Sequence, residues 1–384
     1  MNLRYLNIAI ECTNLCNMRC SFCTQWDASH PSNKNIQLKG LLSKDDFTKI
    51  IGDFKTGSLE VGCINPCWYG ESTVNDNFGK FIKTIFYENK TKGFFKRLAL
   101  NTNGLKFDEN ISDIFLDYAD FIKKNRLDEY MLNLTFSLDA CTEATFEKVK
   151  GIPGDNFKKI LNNIHYLIKK RAELKLLMPN MTFQFVITAQ NEHESDKFLQ
   201  YWQGYLAKFD VDLAVEAEIA YYRDKDQVFF RTEHDSRPEF FAQNIERKNA
   251  FSKKHGFSVV LKENGDFQEK SNSKANFQRK PCFQLWNMCV ISCSGRVAPC
   301  CKDVFFELLL GNIKNMTIEE MWLGKRLEDI RLAQIKGEFD KYKICAECMC
   351  PPGGYMSDED IIDYLKLIGK DELISKYLNK VNTM

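Results

Sequence analysis

Cys16, Cys20 and Cys23 stand in the run Cys16-Asn17-Met18-Arg19-Cys20-Ser21-Phe22-Cys23, a C-x3-C-x2-C spacing. Three thiolates on one short loop can hold three irons of a cubane [4Fe–4S] cluster and leave the fourth iron open to another ligand. Cysteine-held clusters ordinarily take four protein ligands, so a three-cysteine site is built to bind and react. A structural zinc site is the competing reading. It wants C-x2-C pairs with a fourth ligand, for which Cys12 is available. Buried, inert thiols are a third reading.

A second set lies in the C-terminal third: Cys282, then Cys300 separated by four residues from Gly295, then Cys345 and Cys348 in Cys345-Ala346-Glu347-Cys348. Four thiolates close a cluster completely, and a zinc ribbon would also use two cysteine pairs. Between them run Leu310-Gly311-Asn312-Ile313 and Thr317-Ile318-Glu319-Glu320, where Thr317 and Glu320 have capping-box spacing and predict a helix start. Cys289, Cys293, Cys301 and Cys350 remain. They read as small buried residues, or, for Cys301 or Cys289, as a thiol able to act as a hydrogen-atom donor.

The elements that must position these groups alternate. Residues 5–10 mix β-branched and apolar side chains and read as a strand feeding the first cysteine loop. Helix 44–54, strand 60–68, helix 76–88, strand 96–101, helix 108–124 and strand 131–138 follow. Phe157, Ile160, Leu161, Ile164, Leu167 and Ile168 have helical spacing. Strand 181–188, helix 193–207 and strand 211–220 complete six β/α units. Residues 221–281 show no clear pattern, a length that suggests cover for a binding site. Tyr222-Arg223-Asp224 lies just past the sixth strand, where Arg223 could bind a polar substrate or move a proton. The tail from about Ser357 reads as amphipathic helices.

The strand followed by C-x3-C-x2-C resembles the radical S-adenosylmethionine (radical SAM) superfamily. That resemblance implies an α/β fold, a partial (β/α)6 TIM-like barrel, over residues 1–222. It implies that the cofactor's methionyl group chelates the open iron and that its reductive cleavage yields a 5′-deoxyadenosyl radical. Phe22 fills a position before the third cysteine that is often aromatic in the family. In parallel barrels the chemistry sits at C-terminal strand ends. There, Trp68-Tyr69-Gly70-Glu71-Ser72 is similar to the Gly-Gly-Glu-Pro motif, with Tyr69 and Ser72 departing from it, and implies that Gly70 and Glu71 receive the methionyl ammonium. Thr102-Asn103-Gly104 corresponds to a turn beside the cofactor and brings in Asn103. In Ser137-Leu138-Asp139, alternation puts Ser137 and Asp139 on one side of the strand, where hydroxyl and carboxylate suit ribose hydroxyls. Asp139 could instead cap the next helix.

Residues 282–350 resemble the SPASM/twitch extension, a small C-terminal iron–sulfur domain. Cysteines six and ten positions past Cys348 would mark the two-cluster version, but Gly354 and Asp358 stand there, so the resemblance implies one auxiliary [4Fe–4S] cluster on Cys282, Cys300, Cys345 and Cys348. Residues 223–281 then form a connecting segment and 351–384 a helical C-terminal tail.

The composition sets limits on partners. The chain has 384 residues, a net charge of +1 from 53 basic and 52 acidic residues, 44% hydrophobic and 13% aromatic residues. It has ample core and no basic block, so no nucleic-acid partner is expected. Its 15 cysteines mostly cluster at 12–23, 63–67 and 282–350, which favours metal ligation over disulfides. No signal peptide or spanning apolar run is found, and a cytoplasmic, reducing setting is expected. The resemblance then implies hydrogen abstraction from a small polar sugar- or cyclitol-like substrate, with the auxiliary cluster accepting an electron as an alcohol becomes a carbonyl. A flavodoxin- or ferredoxin-like protein would supply electrons. Epimerisation of such a substrate and peptide or protein maturation are the alternatives. The first strand begins within a few residues of Met1, leaving no room for a leader-binding domain, which tilts the expectation toward a small molecule.

Overall fold

The computed structural model describes residues 2–23, 25, 39–217, 224–232, 246–247, 249–251, 253–254, 260–261, 267–268, 279–348 and 354–382. Strands β1 (Tyr5–Ile10), β2 (Glu60–Asn65), β3 (Phe95–Thr102), β4 (Met131–Ser137) and β5 (Asn180–Ile187) lie side by side in chain order, every pair parallel. Covered on both faces, they are nearly continuous apolar runs: in β5 only Gln184 is not fully buried. Helices α1 (Lys44–Thr56), α2 (Phe78–Lys92), α3 (Glu109–Asn125), α4 (Glu143–Lys150), α5 (Asp155–Glu173) and α6 (Ser195–Leu206) make the crossovers. Their starts are chemically marked: Ser43 accepts from Asp46 N–H, and Asp108 from Ile111 N–H, satisfying amide groups that a helix start leaves open.

The sixth strand differs from expectation. Of the segment expected at 211–220, the described residues hold the short β6 (Ala214–Ala217), and it is not paired with β5. β7 (Gln227–Thr232) intervenes, parallel to both. It lies within the stretch expected to be a patternless connection. Its Val228, Phe229 and Phe230 are buried, and Asp226, just before it, is held by Arg171 through two bonds of 2.8 and 2.5 Å. Arg223 lies outside the described residues.

The other edge of the sheet carries the C-terminal block. β10 (Met288–Ile291) pairs with β1 in parallel, and β11 (Arg296–Ala298) and β12 (Gly311–Asn312) continue it antiparallel. One ten-stranded sheet therefore runs through both cysteine-bearing regions; β8 (Val260–Leu261) and β9 (Phe267–Gln268) pair separately. The helix Ile318–Trp322 starts with the expected Thr317–Glu320 capping box. Trp322, fully buried, donates its indole N–H to Leu3 O at 2.8 Å, seating this helix on the chain start. The expected tail helices are Asp358–Leu367 and Glu372–Asn382. No described helix is long and apolar enough to cross a membrane.

Candidate functional site

β1 delivers the chain to the first cysteine loop, and three neighbouring elements hold that loop, two by its backbone and one by a side chain. Glu71 N–H donates to Leu15 O at 2.8 Å; Arg19 and Ser21 N–H donate to Lys150 and Val149 O, each at 2.9 Å. Asn103 Nδ2 donates to Asn17 Oδ1 at 2.7 Å. Cys16, Cys20 and Cys23 are partly buried and close enough to feel one another's charge. Met18 N–H points at the Cys16 sulfur at 3.4 Å. Burial pushes the Cys16 thiol up to about 12 and raises Cys20 against the pull of Lys150. A bound metal reverses that preference by taking thiolates.

Gly70 has a reason to be glycine. Its φ is +73°, and a Cβ there would lie 2.5 Å from Leu15 O and 2.7 Å from Asn14 C; only the bare backbone fits that approach. Glu71, beside it, is buried. Its Oε1 accepts from Thr73 N–H (3.2 Å), Thr73 Oγ1 (2.7 Å) and Thr102 Oγ1 (2.8 Å), and Oε2 from Asn103 N–H at 2.6 Å. Glu71 thereby joins the ends of β2 and β3.

At the end of β4, Asp139 has φ +58° and is fully buried. Its carboxylate pairs with the Lys150 ammonium and accepts from Ser137 Oγ at 3.1 Å and Val186 N–H at 2.6 Å. Asn191 Nδ2 holds its carbonyl at 2.8 Å. Asp139 thereby ties the end of β4 to β5 and to the last residue of α4. It does not cap α4; that cap is Thr142, which accepts from Thr145 N–H at 3.3 Å. Ser137, partly buried, also accepts from Gln184 Nε2 at 3.2 Å. The Lys150 ammonium lies 5.6 Å from the Phe22 ring centroid and close to Cys20 and Cys16. Lys150 was not foreseen: a lysine near a helix C-terminus is ordinarily solvated, and nothing local marks this one as buried.

The second cysteine set converges on one pocket, lined by Cys282, Cys300, Cys345 and Cys348 with Arg279, Lys302 and Gln334 among its polar neighbours. Three of the four sulfurs receive an N–H: Cys282 from the Gln284 backbone, Cys300 from the Lys302 backbone, and Cys345 from Gln334 Nε2 at 3.3 Å. Such donors are what ligating sulfurs require around them. A cubane spreads its thiolates over separate irons. The donor set and spacing fit a cluster.

The remaining cysteines separate. Cys289 is fully buried in β10, paired with Ile8 of β1, among core side chains; sealed there, it is set aside as a hydrogen-atom donor. Cys301 is partly exposed, and its carbonyl accepts the Trp68 indole N–H at 2.7 Å. Cys293 is buried and its N–H donates to Glu11 Oε2 at 2.9 Å. Cys350 lies outside the described residues. Tyr69 sits between the two sets, within electrostatic reach of Cys23 and of Cys300 and Cys301. Trp68 packs edge-on against it at 4.9 Å.

Residues 10–199 match the radical SAM superfamily and residues 282–349 the SPASM iron–sulfur cluster-binding domain. The chain belongs to the radical SAM superfamily and is an enzyme of that class, with a SAM-binding [4Fe–4S] cluster and auxiliary iron–sulfur chemistry in its C-terminal domain. Among solved structures, native anSMEcpe with bound AdoMet is 15% identical over 99% of both chains, with a TM-score of 0.51. BtrN in complex with AdoMet and 2-DOIA is 13% identical over 93% of this chain and 100% of its own, at 0.43. Streptococcus suis SuiB bound to S-adenosylmethionine is 14% identical over 90% of this chain and 72% of its own, at 0.49. At such identities the first shows a shared fold. No curated protein matches the chain.

Proposed function

We propose that this radical SAM enzyme abstracts hydrogen from a small polar sugar- or cyclitol-like molecule and oxidises an alcohol to a carbonyl. Cys16, Cys20 and Cys23 would hold the SAM-binding cluster, and Cys282, Cys300, Cys345 and Cys348 one auxiliary cluster. When bound, the cofactor supplies a hydrogen-abstracting radical, and a fully ligated auxiliary cluster supplies a one-electron acceptor. The chain's contribution is placement. Gly70 lets the end of β2 lie against the cysteine loop; Glu71, Asn103, Ser137 and Asp139 fix the strand ends around the cofactor; Phe22 covers Lys150. A flavodoxin- or ferredoxin-like protein would be the reductant.

The observation that carries this reading is the convergence of four cysteines on one pocket, with N–H donors already on three of the sulfurs. Four ligands leave no open iron for substrate, so accepting an electron is the role left to that cluster. Anaerobic incubation with candidate sugars and cyclitols, cofactor and reductant tests it. One 5′-deoxyadenosine per carbonyl formed is expected. A peptide substrate turned over in place of any sugar, or no carbonyl product, would refute it.

Epimerisation is the second reading. The partly exposed Cys301, linked to Trp68 at the joint between the two cysteine sites, favours it as a hydrogen donor. Under that reading solvent deuterium enters the product and Cys301→Ala stops turnover. Under dehydrogenation Cys301→Ala keeps forming the carbonyl.

A further inference from the structure

Two of the four cysteines around the C-terminal pocket, Cys282 and Cys345, are far apart in the chain, and one side chain touches both. Gln334 lies on the helix Lys325–Lys336 and is 3% exposed. Its Oε1 accepts from Cys282 N–H at 2.7 Å, and its Nε2 donates to the Cys345 sulfur at 3.3 Å. The Cys282 N–H is a donor, which requires the oxygen of the amide to face it. The NH₂ end must then face Cys345, so the orientation follows from chemistry.

The other two sulfur-directed N–H groups come from the backbone two residues beyond their own cysteines, Gln284 for Cys282 and Lys302 for Cys300. That pattern is local and accompanies the turn. Cys345 takes its donor from the side chain of a separate helix. Arg279, which also lines the pocket, donates from its guanidinium to the Cys345 carbonyl and lies 4.4 Å from the Phe339 ring centroid, so Cys345 is gripped from two sides. A hydrogen bond to a cluster-ligating sulfur stabilises the reduced, more negative state and raises the reduction potential.

We infer that Gln334 is a positioning residue of the auxiliary site: its single amide locks Cys282 and Cys345 in register and holds the potential of the iron bound there high enough to take an electron. The inference rests on the reading that these cysteines ligate the auxiliary cluster.

The test uses the full chain with Cys16, Cys20 and Cys23 replaced by Ala, so that only the auxiliary site contributes. Gln334→Met removes both ends of the amide; Gln334→Glu keeps the acceptor for Cys282 and removes the N–H donor. The midpoint potential of the loaded cluster, followed by electron paramagnetic resonance, is expected to fall in both. Loss of auxiliary iron with unchanged circular dichroism would equally support the clamp, since Gln334 is not itself a ligand. A loaded variant with an unchanged midpoint overturns the inference. Should both variants misfold, the unsubstituted Gln334 site is read directly. Glutamine labelled with ¹⁵N only in its side-chain amide should give a nitrogen coupling to the reduced cluster, and its absence overturns the inference. Cys345→Ala is the separate control: full auxiliary iron in that variant would sink the ligand assignment itself, whatever Gln334 does.

Discussion

At the residue scale, the groups that decide this site are buried charges with few alternatives. Asp139 and Lys150 are 0% and 1% exposed at their side chains. Removing one partner of such a pair leaves the other charged, buried and unpaired, at about 3–5 kcal/mol. Lys150→Met should lower stability by about that amount, read from the urea midpoint and slope. The double variant Lys150→Met with Asp139→Asn should recover much of the loss. A Lys150→Met protein as stable as the parent would mean that the pair is not closed in solution.

His165 offers a residue-scale prediction in pH. Its Nε2 shares a hydrogen bond of 2.8 Å with Tyr201 OH, and its ring stacks on Tyr205 at 4.0 Å. Burial lowers its pKa below the ordinary 6.5, and nearby Lys208 adds to the effect. The folded state thus binds this proton less readily than the unfolded chain. Its contribution to stability is present above about 6.5 and is lost as the pH falls toward the lowered folded-state value. Thermal melts from pH 7 to pH 5 should show a decline in the parent that is smaller in His165→Phe. Parallel curves would remove the argument.

Elements set where those residues can act. The loop Cys16–Cys23 is held by the end of β2, the end of β3 and the C-terminal turn of α4. At Gly70 an added Cβ meets backbone that cannot rotate away. Gly70→Ala should displace the loop, so that anaerobically reconstituted protein loses the N-terminal site's iron while the C-terminal site keeps its own. Gly151, the α4 C-cap, faces Arg19 O just as closely, 2.4 Å from an added Cβ. The first five strands and their long helices are legible in the chain because periodicity and burial are local properties. α4 is not: it is eight residues long, and its start depends on Thr142. β7 is equally hidden, because nothing in Gln227–Thr232 says that it will sit between β5 and β6. The Arg171–Asp226 pair that anchors it joins residues 55 apart.

On the scale of the whole molecule, the two iron sites share one sheet. β1 ends in the first cysteine loop, β10 lies beside it, and Glu11 reaches across. Glu11 N–H donates to Ile291 O at 2.8 Å, and its carboxylate accepts from Cys293 N–H at 2.9 Å. A chain stopped after residue 281 would strip β1 of this partner and leave an apolar edge open to pairing. Such a fragment should be recovered mainly as aggregate, and a soluble, monomeric fragment with native circular dichroism would contradict the welded sheet. The same weld brings Trp68 onto the Cys301 carbonyl and Tyr69 within electrostatic reach of both Cys23 and Cys301, which no spacing along the chain could announce.

Cysteine spacing is a covalent property of the chain, so the two iron–sulfur regions, the superfamily and the cofactor class could be read from it directly. Strand and helix patterns, being local, carried the barrel's first five units with it. The functions of the polar residues around the loop were decided only in three dimensions. Glu71 and Asp139 carry the expected motif letters, and both take hydrogen bonds from other elements of the fold, because buried polar groups need partners. Which residues match them (Thr102, Asn103, Lys150, Val186), and that Gln334 spans Cys282 and Cys345, depends on contacts between segments distant in the chain. Only the closed tertiary structure sets those contacts.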